Sequence, residues 1–326
     1  MPKMYVTRWV PPEALAMLRR RGEVKLWNRE EEPVPRAELV RNLKEVHGLF
    51  CLLTDKIDEG LLQEAPSLKV VSNMAVGYDN IDVAACHRRG IVVCHTPGVL
   101  TEATADLTWA LLLATARRLG EAERCLRQGQ WSTWSPMFLA GAQVSGATLG
   151  IIGLGAIGTA VAHRAAGFGM RILYHHPRRR PEPEAALGAE QVTLPALLEE
   201  ADFVSLHVPL REDTHHLLGE EELRMMKPTA CLINTARGAV VDQEALVRVM
   251  KEGHLFGAGL DVYASEPLPP ASPLLTLPNV VLLPHIGSAT VATRTAMAVL
   301  AAQNLLRVLE GKAPHHRVEC GRGQSL

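Results

Sequence analysis

No Cys-x-x-Cys pair occurs in this chain. Its six cysteines, Cys51, Cys86, Cys94, Cys125, Cys231 and Cys320, are scattered over 326 residues, most of them inside apolar runs. That spread supplies no disulfide framework and fits a reducing compartment. A charge excess is missing too: 34 Lys and Arg stand against 35 Asp and Glu, a net charge of -1. Nothing in the global balance therefore draws the protein to nucleic acid or to an anionic membrane, and any recognition of anions has to be local. Nor is there an apolar run of membrane-spanning length. Residues 107–116 come nearest, but Glu102, Asp106, Arg117 and Arg118 bracket them within the roughly 20 residues that a span requires. A buried helix is expected there, with Thr101 as its N-cap. The opening residues 1–6 carry no long apolar stretch ahead of a small-residue cleavage site, so no export is expected and the cytoplasm is the expected location. Internal repeats and low-complexity tracts are absent as well.

What is present is a chain with 47% hydrophobic residues, long enough for about two domains and a large core. Short β-branched or aliphatic runs at 4–7, 24–27, 49–53, 68–71 and 91–94 alternate with amphipathic stretches. A second series runs through 148–152, 172–174, 203–207, 230–234, 258–262 and 280–283. Such alternation predicts an α/β protein with two parallel sheets and helical crossovers. Between the two series, 101–129 reads as helical and is followed by a Trp- and Gly-rich stretch, 131–146. A long Ala/Leu helix over 289–309 closes at Gly311 and Pro314.

The strand pattern Thr148-Leu149-Gly150-Ile151-Ile152 leads straight into Gly153-Leu154-Gly155-Ala156-Ile157-Gly158, after which a helix continues. This is the dinucleotide fingerprint in the strand-to-helix context it requires. The first glycine allows the tight turn, the second lets the backbone approach a pyrophosphate, and the third lets helix and strand pack closely. An NAD site usually places a carboxylate at the end of the next strand, about 20 residues on. Here that strand ends His175-His176-Pro177 and runs into Arg178-Arg179-Arg180. Guanidiniums fork onto phosphate oxygens, so the expected cofactor is NADP, with NAD as the alternative on a merely solvated basic loop.

Three polar segments follow apolar runs further on: Asn234-Thr235-Ala236-Arg237-Gly238, then Asp261-Val262-Tyr263-Ala264-Ser265-Glu266-Pro267, then Pro284-His285-Ile286-Gly287-Ser288. The carboxyl ends of strands in an open parallel sheet line one crevice, so Arg237, Glu266 and His285 are expected to converge there as an anion clamp and an acid/base pair. The histidines His175, His176, His207, His215, His216, His315 and His316 show no metal-ligand spacing with carboxylates or cysteines. They read as surface or loop groups, and no metal is expected.

These segments, the fingerprint, Val76-Gly77-Tyr78-Asp79-Asn80-Ile81-Asp82 and Gly129-Gln130-Trp131-Ser132-Thr133-Trp134 together resemble the D-isomer-specific 2-hydroxyacid dehydrogenase family. Within it they are most similar to the glyoxylate/hydroxypyruvate reductases. The resemblance covers nearly the whole chain. It implies a Rossmann dinucleotide-binding domain over 99–287, inserted in a flavodoxin-like substrate domain made of 1–98 and 288–326. It also implies reduction of a small 2-keto acid, glyoxylate or hydroxypyruvate, to the D-2-hydroxy acid. Arg237 would bind the substrate carboxylate and carbonyl, His285 would be the proton donor, and Glu266 would hold the histidine. A homodimer is expected, in which Trp134 reaches into the neighbouring subunit's substrate site while Trp131 packs.

The expected cofactor contacts are Gly153, Leu154, Gly155, Ala156, Ile157, Gly158, His176, Arg178, Arg179, Thr235, Ala236, Asp261 and Gly287. Those to substrate are Val76, Gly77, Arg237, His285, Ser288 and Trp134, with the Val76 and Gly77 amides meeting the carboxylate. Domain closure is expected to hinge near Pro97-Gly98 and 284–288. The chemistry asks for these residue types: hydride on a 2-keto carbon leaves an alkoxide that has to be protonated, and histidine works near neutral pH. A neighbouring glutamate favours the imidazolium. Phosphoglycerate dehydrogenases share the motifs, many with a further regulatory domain, and nicotinamide-sensing corepressors keep the fold and the triad. Both stand as alternatives, whereas formate dehydrogenases have Gln in the place of Glu266.

Overall fold

The computed structural model describes residues 1–320. Their contacts divide the chain into two compact units, one formed by Met1–Leu100 with the segment from Ser288 onward, the other by Thr101–Gly287.

The first unit contains β1 (Lys3–Val6), β2 (Glu23–Leu26), β3 (Gly48–Cys51), β4 (Val70–Asn73) and β5 (Val92–Cys94). They pair in the order β2-β1-β3-β4-β5, every neighbour parallel, which is the doubly wound order of flavodoxin. All residues of β3 and β4 are buried, as expected of parallel strands covered on both faces, the polar Ser72 and Asn73 of β4 included. The helix Val291–Leu309 lies on these strands: Ser72 Oγ donates to the Ala301 carbonyl at 2.8 Å. A β-carbon at Gly48 would come within 3.1 Å of the Leu305 and Leu309 methyl groups, so the glycine lets the helix approach. A second cluster joins Leu49, Cys51 and Val71 to Leu39, Leu43, Leu61, Leu62 and Ala85 of the crossover helices. Beyond the last helix the chain returns along the edge of the sheet, where the Val318 amide donates to the Val93 carbonyl and Cys94 bridges Arg317 in antiparallel fashion.

The second unit contains β6 (Thr148–Ile152), β7 (Arg171–His175), β8 (Glu190–Gln191), β9 (Phe203–Leu206), β10 (Cys231–Asn234), β11 (Gly257–Leu260) and β12 (Val280–Leu282). Their order is β12-β11-β10-β9-β6-β7-β8, again parallel throughout. Winding proceeds outward in both directions from β6 and β9, and the carboxyl ends of the strands at such a reversal are where open sheets of this kind bind ligands. The helix Thr101–Ala116 lies close on β11, since β-carbons at Gly257 and Gly259 would meet the Thr115 side chain at 2.9 and 2.6 Å.

Local departures from the sequence reading have local causes. Thr101 is itself the first helical residue rather than a cap. The helical stretch breaks at Arg118, whose φ of +53° is left-handed, and a second helix, Leu119–Arg127, begins there. The Arg118 guanidinium holds both carboxylate oxygens of Glu121 across that break. The two-residue β8 carries no apolar signal and was not expected. Among the described residues no helix is long and apolar enough to cross a membrane.

Candidate active site

At the carboxyl end of β6 the chain turns through Gly153 with φ +97°. Only glycine fits: a β-carbon would also lie 2.7 Å from the His207 carbonyl oxygen. Gly155 then opens the helix Ala156–Ala166 with no side-chain cap, so the first-turn amides are left for a ligand rather than for the chain itself. A β-carbon at Gly158 would sit 2.2 Å from the Gly153 carbonyl oxygen, which fixes the helix tightly against the turn. Leu154 is fully buried beneath this loop, whereas Ala156 is exposed and Ile157 partly so. A turn of this shape at a helix N-terminus suits a pyrophosphate.

The end of β7 supplies the second part of this cradle. His176 is buried, its Nδ1 2.7 Å from the Arg178 carbonyl and 3.1 Å from the Arg178 amide, and its Nε2 is a buried polar atom without a partner. Burial is the main cause that lowers the His176 pKa, so the ring is neutral. Arg179 spends its guanidinium on Glu184, at 2.8 Å, and Glu184 also accepts from the Tyr174 hydroxyl. Arg178 is exposed and its guanidinium has no hydrogen-bond partner among the described residues. Turn, bare helix start and orphaned Nε2 together fit a dinucleotide.

Beyond β10, β11 and β12 the three polar segments form one hydrogen-bonded assembly. Asn234 Oδ1 accepts from the Ala236 amide at 3.0 Å while its Nδ2 donates to the Arg237 carbonyl at 2.9 Å, so one side chain sets the turn that presents Thr235, Ala236 and Arg237. Thr235 Oγ1 meets Thr108 Oγ1 at 2.9 Å, and Arg237 Nη1 donates to the Ala236 carbonyl. At Gly238 a β-carbon would overlap the Tyr263 backbone at 1.9 Å. That close approach brings the Arg237 segment against the segment carrying Glu266.

Glu266 Oε2 lies 2.6 Å from His285 Nδ1, and Oε1 accepts from the Tyr263 amide at 3.1 Å. Burial pushes the Glu266 carboxyl upward in pKa, but the His285 hydrogen bond and charge, the Tyr263 amide and the Arg237 charge outweigh it and hold it below its ordinary value. His285 itself has φ +54°, a left-handed backbone that histidine adopts more readily than most residues. The turn after it is tied down by Asp261, whose fully buried carboxylate accepts from the Ile286 amide at 2.8 Å and the Gly287 amide at 2.7 Å. Burial raises the Asp261 pKa against those two bonds. The Tyr263 hydroxyl adds a 2.7 Å bond to the Leu283 carbonyl, just before the turn.

Arg237, Glu266 and His285 thus belong to one assembly, with Asp261 and Gly287 as its frame. Val76, Gly77 and Ser288 belong to the first unit, where Val76 and Gly77 lie on the loop after β4. Trp134 is 76% exposed. Two expectations need correction. His207, read as a surface or loop group, is buried beneath the fingerprint turn with Nε2 2.8 Å from Ser205 Oγ, and burial pushes its pKa down to about 3; His176 is likewise interior. Trp131, expected to pack, is 55% exposed. Asn234, Thr108 and Tyr263 were missed as site builders. Asn234 was findable, because an Asn at a strand end two residues before a needed turn is an Asx-turn signal.

The family model for the D-isomer specific 2-hydroxyacid dehydrogenase NAD-binding domain matches residues 109–287. The glyoxylate reductase of Korarchaeum cryptofilum is 52% identical over 318 residues, covering 97% of this chain and 96% of the relative. A crystal structure of a Thermus thermophilus protein superposes with a TM-score of 0.91 at 50% identity, over 97% of this chain and 100% of that one. The NADPH-dependent glyoxylate/hydroxypyruvate reductase of Sinorhizobium meliloti, solved with NADP and malonate, gives a TM-score of 0.85 at 37% identity, over 97% of this chain and 96% of that one.

Proposed function

The chain belongs to the D-isomer specific 2-hydroxyacid dehydrogenase family, and from that premise we propose that it reduces glyoxylate or hydroxypyruvate to the D-2-hydroxy acid, with NADPH ahead of NADH. It is an oxidoreductase. The observation that carries the reading is the 2.6 Å contact of His285 Nδ1 with an ionised Glu266, in charge contact with Arg237. A carboxylate can only accept, so Nδ1 carries a proton and Nε2 is the atom offered to the substrate. The nicotinamide, when bound, supplies the hydride. Nε2 of His285 delivers a proton to the oxygen left on the former keto carbon, and Glu266 stabilises the charged ring that gives it up. Arg237 forks onto the substrate carboxylate and orients the carbonyl. The amides of Val76 and Gly77 receive that carboxylate as well, with Ser288 beside it.

The turn from Gly153 to Gly158 would hold the pyrophosphate, Thr235, Ala236 and Gly287 would hold the nicotinamide ribose, and Asp261 would act on that end through the turn it frames. Arg178 would take the 2′-phosphate, its guanidinium pairing with the charge, with His176 beside it; Arg179 contributes less because Glu184 neutralises it. Six free cysteines accord with a cytoplasmic enzyme.

A homodimer is favoured by the exposed apolar surface of one stretch: Leu119, Leu126, Trp131, Trp134, Met137 and Phe138 are each between 47% and 76% exposed. Such a patch marks an interaction surface, and Trp134 would limit substrate size in the neighbouring subunit.

The test is a panel of glyoxylate, hydroxypyruvate and longer 2-keto acids at fixed NADPH and at fixed NADH. Rapid turnover of the two short acids is expected. Tight cofactor binding with negligible turnover of every acid would overturn the reading and favour a nicotinamide-sensing binding protein.

A further inference from the structure

The loop after β4 has an unusual division of its backbone groups. Its successive carbonyls are engaged by donors from the first unit: Ala75 by the Thr96 amide at 2.9 Å, Val76 by His95 Nδ1 at 2.8 Å, Gly77 by Asn73 Nδ2 at 2.9 Å and Tyr78 by the Ile81 amide at 3.0 Å. The amides of Val76 and Gly77, by contrast, donate to no described residue. With the carbonyls engaged, these two consecutive N–H groups are the donors the loop keeps for an incoming anion.

Of the four tethers, only the one at Val76 is an ionisable side chain, and that side chain is itself held. The His95 carbonyl accepts from Asn304 Nδ2 at 3.1 Å, and Asn304, fully buried in the last helix, accepts from the His315 and His316 amides at 2.8 and 3.2 Å. The ring is flanked edge-on by Tyr78, with centroids 5.5 Å apart, and by His316 at 6.4 Å. Burial lowers the His95 pKa, opposed by the Val76 bond and assisted by the His316 charge, so the ring is neutral near pH 7. Its partner is a carbonyl, which accepts only, and the single ring proton therefore sits on Nδ1.

We propose that His95 is a positioning residue for substrate binding: its Nδ1–H holds the Val76 carbonyl and thereby keeps the Val76 and Gly77 amides turned toward the 2-keto acid carboxylate. This rests on the reading of those amides as the carboxylate's seat. The described partners of His95 all belong to its own unit, so its loss is expected to act on the seating of substrate rather than on proton transfer.

The experiment compares His95→Leu and His95→Gln, which lack a donor at the Nδ1 position, with His95→Asn, whose Nδ2 can occupy it. With NADPH saturating, His95→Leu and His95→Gln raise the KM for glyoxylate about tenfold, while kcat and the NADPH Kd measured by nucleotide fluorescence stay within about twofold. His95→Asn restores KM to within about threefold of the parent. Equal KM values in parent and His95→Gln, equal impairment of Asn and Gln variants, or a parallel loss of kcat and NADPH affinity would each overturn the proposal. Amide resonances of Val76 and Gly77 in the NADPH complex, titrated with oxamate, report the seat separately. If they do not move, the carboxylate reading falls and the proposal with it. If they move and His95→Gln binds oxamate like the parent, only the role of His95 falls.

Discussion

His285 Nδ1 and Glu266 Oε2 stand 2.6 Å apart although the two residues leave different strand ends, and the backbone of His285 is left-handed at φ +54°. An imidazole held in this way has one nitrogen assigned and the other free. Left-handed conformation in a residue with a β-carbon costs about 1–3 kcal/mol and persists only where the surroundings impose it. Here the imposing groups are Glu266 on the ring and Asp261 on the two amides that follow.

Glu266→Gln keeps a hydrogen-bond acceptor but removes the charge. The carboxyl is held below its ordinary pKa, so it stays ionised at neutral pH and protonates only as pH falls through that lowered value. In the parent, reduction loses rate as pH rises and oxidation loses rate as pH falls, because the same imidazole gives a proton in one direction and takes it in the other. In the Gln variant kcat for reduction at neutral pH falls at least tenfold, because the charged ring that gives up the proton has lost its counter-charge. Profiles of the same sign in both directions would remove His285 from the proton transfer.

Asp261→Ala deletes two short bonds and leaves the buried Gly287 amide and the part-buried Ile286 amide without an acceptor. Each such orphan costs on the order of 1–3 kcal/mol. The expected outcome is a fall in Tm of several degrees with a loss of kcat larger than any change in the NADPH Kd, measured by calorimetry and steady-state kinetics.

Arg178→Ala and Arg179→Ala separate the two guanidiniums. Arg178 has no acidic partner among the described residues, so its removal raises the KM for NADPH about tenfold and leaves that for NADH nearly unchanged. Arg179 already pairs with Glu184, so its removal has the smaller effect. Equal effects on both cofactors in both variants would point to a solvated loop that ignores the 2′-phosphate.

Trp134→Ala removes the most exposed of the large aromatic side chains. If the apolar stretch meets a second copy, light scattering of the variant shows a weakened dimer. The selectivity between glyoxylate and a longer 2-keto acid then relaxes toward the longer one.

Much of this was legible because parallel sheets write themselves plainly. Buried strands such as β3 and β10 are largely apolar runs, and the glycines at 153, 155 and 158 sit where any β-carbon would collide or a bare turn is needed. Arg237, Glu266 and His285 were findable because each follows a strand. Apart from Asn234, the supporting groups were harder to read, since their signal is a single polar residue whose partner is distant in sequence. Asp261 reads like any strand-end acid until its two amide contacts 25 and 26 residues away are seen. His207 ends the expected strand 203–207, and only its polar ring led to its reading as a surface group, whereas Arg118 gave no warning of its left-handed break. Tertiary packing, not local preference, decided all three.

The helix Val291–Leu309 that lies on β3 and β4 leaves the ribosome long after those strands do. During synthesis the first sheet therefore waits with an apolar face uncovered, while the second unit, contiguous in sequence, has every strand it needs as soon as β12 emerges. The order of maturation runs against the order of translation: the domain begun first is the one completed last.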